Sequence, residues 1–230
     1  MKISFYQKKI GEKFTSQEKL KISKEKSDFL ILPPRLILPL GLNEDNWLAN
    51  YDNYLDQILE LSETYKGVIL GGTLLRKDSR GKRVESVPIV QGVNLIDHYD
   101  LVKPSISSAV AGDSETIFIM AGVRFAIITG NEIDDSEFLN DIKSKGIQTI
   151  FVLESNITNR TYEEELEYFS DIAKKYSFNI FRVCGYNQMG KILGRSLVAT
   201  PTGIHWKVGK MEEFNDILKT IHFAQANPFL

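Results

Sequence analysis

The side chains able to do covalent or acid–base chemistry are few and lie far apart along this chain. Cys184 is the only cysteine, and it sits in Ile180-Phe-Arg-Val-Cys-Gly185, an apolar run typical of a strand. A free cysteine in such a run is usually a small core residue, so we predict a buried, inert thiol. The histidines, His98, His205 and His222, lack metal-ligand spacing with one another or with nearby carboxylates. We therefore expect neither a metal site nor any other cofactor.

The composition is that of an ordinary globular protein. Of the 230 residues, 43% are hydrophobic, and the formal net charge of −2 creates no field that would attract nucleic acid or an anionic membrane. The longest apolar stretch, Phe29 to Leu42, is interrupted by Pro33 and Pro34 and is shorter than the ~20 residues of a membrane span. The start of the chain predicts a strand with no signal peptide after it, so we expect a cytoplasmic protein.

Short β-rich runs punctuate the whole sequence, and helical patterns fall between them. Continuously apolar runs such as Phe29–Leu32 are expected of strands that are covered on both faces. The predicted strands are Lys2–Tyr6, Asp28–Leu32, Gly67–Gly71, Glu85–Val90, Asn94–Tyr99, Thr116–Met120, Arg124–Thr129, Thr149–Leu153, Asn179–Val183, Ser196–Ala199 and His205–Lys207. Apolar residues at helical spacing predict helices over Asp45–Tyr65, Asp135–Lys145, Tyr162–Tyr176 and Met211–Phe223.

Alternating strands and helices occur together with hairpin elements. Residues 67–76 and 85–90 flank Lys77-Asp-Ser-Arg-Gly-Lys82, whose composition favours a turn. Two mixed sheets between helical layers accommodate both kinds of element, which makes the expected class an α/β fold. The sequence has no internal repeat, low-complexity tract or linker, so we expect one domain over residues 1–230.

Seven segments, taken in order, carry a pattern that recurs in one family of enzymes. They are Met1–Gln7, Asp28–Pro33, Val68–Gly72, Ile96–Asp100, Gly122–Ile128, Gly146–Asn156 and Gly194–Gly203. Their order and spacing resemble the carbon–nitrogen hydrolase (nitrilase) superfamily, and the last is similar to its G-x-S-x-(I/V)-x-x-P-x-G strand and turn. The resemblance spans nearly the whole chain and implies a four-layer α-β-β-α sandwich with two mixed sheets.

In that family a cysteine thiolate attacks an amide or nitrile carbon, a glutamate acts as general base, and a lysine stabilises the developing negative charge. The matching positions here hold other residues. Pro34 stands where the pattern places the glutamate, Leu101 where it places the lysine, and Gly130 where it places the cysteine. The resemblance therefore implies a catalytically degenerate member, because these three residues cannot run the family's reaction.

Four polar residues beside these positions are candidates for the pocket. They are Lys103, Thr129, Asn131 and Glu132. Lys103 would share a strand face with Leu101 if the segment were extended, because side chains alternate with period two. Thr129 would face the opposite way from its neighbour, the vacated nucleophile position. Glu132 and Asp100 could lie at the pocket mouth, but most loop carboxylates are solvated, and we expect that of both.

These observations lead to one expectation and two alternatives. We expect a pseudoenzyme, which acts as a non-catalytic small-molecule-binding or assembly protein. The resemblance also implies a homodimer, since family members commonly dimerise through a helical face. One alternative is a divergent amide or nitrile hydrolase whose catalytic groups moved to Lys103, Glu132 or Cys184. The other is an unrelated α/β protein. The sequence does not specify a ligand or a partner protein.

Overall fold

Two sheets lie face to face, and helices cover the outer face of each. A computed structural model describes residues 1–36, 41, 43–113, 117–154, 159–189 and 191–223. The strands are β1 (Lys2–Gln7), β2 (Phe29–Ile31), β3 (Val68–Leu70), β4 (Leu74–Lys77), β5 (Arg83–Gln91), β6 (Asn94–Asp100), β7 (Ile117–Met120), β8 (Val123–Thr129), β9 (Thr149–Glu154), β10 (Asn179–Cys184), β11 (Leu197–Thr200), β12 (Gly203–Lys207) and β13 (Ile217–His222). The helices are α1 (Ser16–Glu25), α2 (Glu44–Ala49), α3 (Tyr51–Thr64), α4 (Ser136–Ser144) and α5 (Tyr162–Tyr176), with a 3₁₀ turn at Lys210–Glu212.

The first sheet has seven strands, of which β1, β2 and β3 are parallel. Strand β13 pairs antiparallel with β1 at one edge. The long strand β5 pairs antiparallel with β3, β4 and β6. The second sheet runs in the order β12-β11-β10-β9-β8-β7, with β8, β9 and β10 parallel. Pro34 and Gly130 follow the parallel strands β2 and β8, whereas Leu101 follows the antiparallel strand β6.

The hydrophobic core lies in three layers. Between the sheets, aromatic rings interlock, and the ring centroids of Phe29 and Phe125 are 5.3 Å apart. A second layer joins the second sheet to α4 and α5, and a third joins the first sheet to α1 and α3. Helix α5 buries Phe169 and Tyr176, and a capping box formed by Thr161 and Glu164 begins it. None of the helices in the described ranges is long and apolar enough to cross a bilayer.

The predicted helix Met211–Phe223 is wrong, because Ile217–His222 forms strand β13. Its residues pair with β1 over six positions, and this long-range pairing overrides the local helical spacing. The predicted helix Asp45–Tyr65 is two helices, α2 and α3, which meet at Asn50. Thr116 of the predicted strand Thr116–Met120, and the end of the segment Gly146–Asn156, lie outside the described residues.

Candidate functional site

Pro34, the residue at the position of the family's glutamate, follows β2 and packs closely against the segment after β3. Pro34 is buried, and the backbone N–H of Arg35 donates to the Thr73 carbonyl at 3.2 Å. Gly72 has a φ of +81°, and a Cβ on it would lie 2.2 Å from the Pro33 carbonyl oxygen. Only glycine can adopt this positive φ and also leave room for the Pro33 carbonyl oxygen. The backbone at Pro34 is therefore held by its neighbour strand, with no carboxylate at this point.

The second position, Leu101, directly follows β6 and packs in the core between the sheets, where it is 1% exposed. Strand β6 ends at Asp100, so the extended geometry that would align Lys103 with Leu101 is absent. The Lys103 ammonium lies at the surface, 2.5 Å from the Asp135 carboxylate. Leu101 thus points into the core and Lys103 points to solvent.

The third position, Gly130, lies in the turn after β8. Thr129 is buried, and both its backbone N–H (2.9 Å) and its hydroxyl (3.1 Å) donate to Glu132. Asn131 is exposed, and its side-chain amide donates to the Pro104 carbonyl at 3.3 Å. The turn after β8 therefore lies directly against the segment after β6, so the positions of Leu101 and Gly130 are neighbours in space.

Glu132 is fully buried, which corrects the expectation that it is a solvated loop carboxylate. Besides the two bonds from Thr129, it accepts hydrogen bonds from the Tyr99 hydroxyl (2.8 Å) and from the backbone N–H groups of Val102 (2.8 Å) and Lys103 (3.2 Å). Burial raises the pKa of Glu132, and these donors oppose that shift. With its oxygens saturated by protein donors, the carboxylate acts as a structural cross-link.

Asp100 is likewise buried, contrary to expectation, and the Arg76 guanidinium donates to its two oxygens at 2.8 Å and 2.7 Å. Both bonds come from Nη2 of Arg76, while its Nε donates to the Ser86 hydroxyl at 2.9 Å, so the guanidinium is held in one orientation. Asp100 is therefore part of a structural ion pair on β6.

Glu85 is a further buried carboxylate beside this site, and the sequence interpretation missed it. Its oxygens accept from the Ser105 backbone N–H at 2.6 Å and from the Ser105 hydroxyl at 3.0 Å. Arg35 donates to the same hydroxyl at 3.0 Å and lies 4.0 Å from Glu85. The sequence does contain an indication that Glu85 is buried. Residues 85, 87 and 89 share one face of β5, and Glu85 is the charged residue on an otherwise apolar face.

Arg35 is the ionisable residue next to Pro34, and its environment is unusual. Its φ of +55° is rare for a residue other than glycine. The guanidinium stacks on the Trp47 ring at 4.5 Å, and burial lowers the pKa of Arg35. Among the residues that the structure describes, none forms a hydrogen bond with the buried Arg35 Nε and Trp47 Nε1 atoms. The Arg35 side chain can donate hydrogen bonds but cannot accept a proton, so it does not replace the glutamate of the family.

Cys184 lies away from these groups. It is buried in β10 on the face toward α5, and burial raises the pKa of the thiol to about 12. Cys184 pairs with Glu154 on β9, and β8 lies beyond β9, so the thiol is two strands, about 10 Å, from the end of β8. The structure therefore does not bring Lys103, Glu132 and Cys184 together. No group of three potential metal ligands occurs in the described part of the chain.

The structure is similar to those of nitrilase superfamily proteins. Saccharomyces cerevisiae Nit3, a member of branch 10 of that superfamily, matches with a TM-score of 0.71 and 16% identity, over 95% of this chain and 89% of Nit3. An amidase of the superfamily from Nesterenkonia AN1 matches with a TM-score of 0.73 and 13% identity, over 96% and 89% of the two chains. A glutamine-dependent NAD+ synthetase from Acinetobacter baumannii matches with a TM-score of 0.75 and 16% identity. That match covers 95% of this chain and 44% of the synthetase, so this chain spans less than half the length of that enzyme.

No sequence family and no curated protein matches the chain. The architecture nevertheless defines its class, since two mixed sheets between helical layers form the nitrilase fold. This chain is a nitrilase-fold protein, and the alternative of an unrelated α/β fold is wrong. The likeness concerns the fold, and an activity does not follow from it.

Proposed function

We propose that this nitrilase-fold protein does not use the Glu-Lys-Cys chemistry of the family and acts in the cytoplasm as a non-catalytic binding or assembly protein. The observation that carries the proposal is the bonding around the turn after β8. Gly130 offers no nucleophile there, and the adjacent carboxylate of Glu132 is saturated by five protein donors. A general base must have a free oxygen within reach of the proton that it abstracts.

The packing of Leu101 supports the same proposal. Its side chain is part of the core between the sheets, so this position supplies no cation to stabilise a negative intermediate. Electrostatic stabilisation of that kind is usually the largest catalytic contribution, and a buried leucine supplies none of it. The relocated-hydrolase alternative has less support, because the Lys103 ammonium lies at the surface beside Asp135 and Cys184 lies two strands away from the end of β8.

Assembly is the second part of the proposal. A groove of about 580 Å³ between α4 and α5 is lined by the apolar side chains of Leu139, Ile172 and Tyr176 and by charged side chains, among them Asp171, Lys174 and Lys175. We propose that two copies of the chain meet across this face. Light scattering behind size-exclusion chromatography should give the mass of a dimer, and the charge reversal Lys174→Glu, at an exposed position of the same groove, should shift it to that of a monomer of 26.1 kDa.

Hydrolysis of simple amides and nitriles tests the loss of chemistry directly. The Nesterenkonia amidase is the positive control, since the acetamide moiety of fluoroacetamide adds covalently at its active-site cysteine. We expect this chain to release no ammonia from butyramide or fluoroacetamide and to gain no mass on incubation with fluoroacetamide. Enzyme-like turnover that persists in a second purification and disappears in Glu132→Gln or Cys184→Ala would overturn the proposal.

A further inference from the structure

A further cleft lies between the helices α2 and α3 and the strands β4 to β6. Its volume is about 760 Å³, which is enough for a small ligand. The helical wall carries the carboxylates Asp45 and Asp52, and the strand wall carries the cations Arg76, Lys77 and Arg83. We call this the α2/β4 cleft. Its two walls therefore carry opposite charge.

Most of these charges are already paired within the protein. Arg76 binds Asp100, and Arg83 lies 2.5 Å from Asp45. Asp52 and Lys77 are both exposed, and in the described ranges neither side chain forms an ion pair. One unpaired negative charge and one unpaired positive charge therefore remain, on opposite walls of the same cleft.

A neutral hydrogen-bonded pair lies between the charged walls. The Tyr51 hydroxyl and His98 Nε2 are 2.5 Å apart. Burial, together with the nearby Arg76, lowers the pKa of His98 to about 4, so the imidazole is uncharged at neutral pH. The cleft also has an apolar part, formed by Leu48 and Ala49. Its middle can thus contact a short neutral stem, while Asp52 and Lys77 attract charged ends.

We propose that the α2/β4 cleft binds a short zwitterion, an amino carboxylate whose ammonium faces Asp52 and whose carboxylate faces Lys77. A ligand with one charge only would leave the other wall unpaired, so the arrangement selects for both charges in one molecule. Exposed ion pairs are weak, and we expect a Kd of about 1 mM. The distance between the two charged groups of the ligand should decide which chain length binds best.

Nuclear magnetic resonance titration of the full chain tests the proposal at such affinities. The probes are glycine, β-alanine and γ-aminobutyrate, which separate the same two charges by one, two and three carbons. Acetate and methylammonium serve as single-charge probes. We expect one of the amino acids to shift the His98 and Tyr51 signals in a saturable way, at concentrations at which neither single-charge probe does so.

Matched variants identify the residues responsible. Lys77→Gln and Asp52→Asn should each weaken binding about threefold or more, as the loss of an exposed ion pair requires. Lys82→Gln, in the same hairpin, and Asp56→Asn, one helical turn along α3, remove the same charges outside the cleft and should leave binding unchanged. The proposal is overturned if no amino acid binds, if acetate binds equally well, or if the cleft variants and their controls behave alike.

Discussion

The carboxylate of Glu132 accepts a hydrogen bond at 2.8 Å from the hydroxyl of Tyr99. Tyr99 belongs to β6 of the first sheet, whereas Glu132 follows β8 of the second, so this bond joins the two sheets. The same carboxylate also holds the backbone after β6 through Val102 and Lys103. The end of the fold that carries Leu101 and Gly130 is thus kept together by a buried polar cross-link.

Replacement of Glu132 by alanine should destabilise the protein by about 3 kcal/mol, because several buried donors lose their acceptor together. Urea unfolding followed by circular dichroism measures the change. Glu137→Ala, on the exposed side of α4, is the control and should alter stability by about 0.5 kcal/mol or less. Equal effects of the two substitutions would show that the Glu132 cross-link contributes nothing to stability.

A double-mutant cycle tests whether the positions of Pro34 and Leu101 face each other. Leu101→Lys alone should cost about 3 kcal/mol, because it places an ammonium in the core between the sheets. Pro34→Glu supplies a carboxylate at the position where the resemblance places the glutamate. If the two positions face each other, the double variant should be about 1 kcal/mol or more less destabilised than the sum of the two single variants. Leu101→Met, which keeps volume and polarity, should cost less than about 1.5 kcal/mol. Strict additivity would place the two positions apart.

Stability should depend on pH through His98. Its pKa is lowered to about 4 in the folded protein, so the unfolded chain, whose histidine titrates near 6.5, takes up the proton first as the pH falls. The contribution of His98 is therefore fully present above pH 6.5 and is lost as the pH falls from 6.5 toward 4. We expect His98→Gln to reduce the difference in unfolding free energy between pH 7 and pH 5. His222→Gln, an exposed control, should leave that difference unchanged. If the free-energy difference between pH 7 and pH 5 were the same in His98→Gln as in the unsubstituted protein, the lowered pKa of His98 would be contradicted.

The thiol of Cys184 should be unreactive in the native protein, because burial raises its pKa to about 12 and the nucleophilic form is the thiolate. Iodoacetamide at pH 7.5, followed by mass spectrometry, should modify the unfolded chain within minutes and leave the folded chain unmodified. Labelling of the folded protein that is not accelerated by mild denaturant would show an accessible thiol and would favour a relocated thiol mechanism.

The sequence predicted the strands well because their signal is local. Helix Tyr162–Tyr176 was also predicted with the observed bounds, since a cap at Thr161 and a continuous apolar face agree. The segment Ile217–His222 failed because its partner, β1, lies at the other end of the chain. In β13 the hydroxyl of Thr220 is hydrogen-bonded to that of Ser4 at 2.7 Å, and local spacing cannot anticipate such a contact.

The bonding of the candidate residues could not be predicted from the sequence. The pattern around Leu101 and Gly130 indicated two segments whose backbones do meet, through the bonds of Glu132. Glu132 was expected to be solvated because carboxylates in turns usually are. Its burial depends on donors from β6 and the segment after it, more than 25 residues away in sequence. The role of a buried polar group is set by its partners, and the sequence near that group does not name them.

The pairing of β1 with β13 constrains how this chain can be made. The amino group of Met1 donates to the carbonyl of Phe223, two residues that are 222 positions apart. Contacts of such separation close slowly, since a long loop must be ordered before they form. During translation, β1 leaves the ribosome long before β13 and keeps one open edge until Ile217–His222 has been synthesised. A nascent chain that stalls before Ile217 would expose that edge to other chains, so aggregation of partly synthesised protein is the hazard that this topology creates.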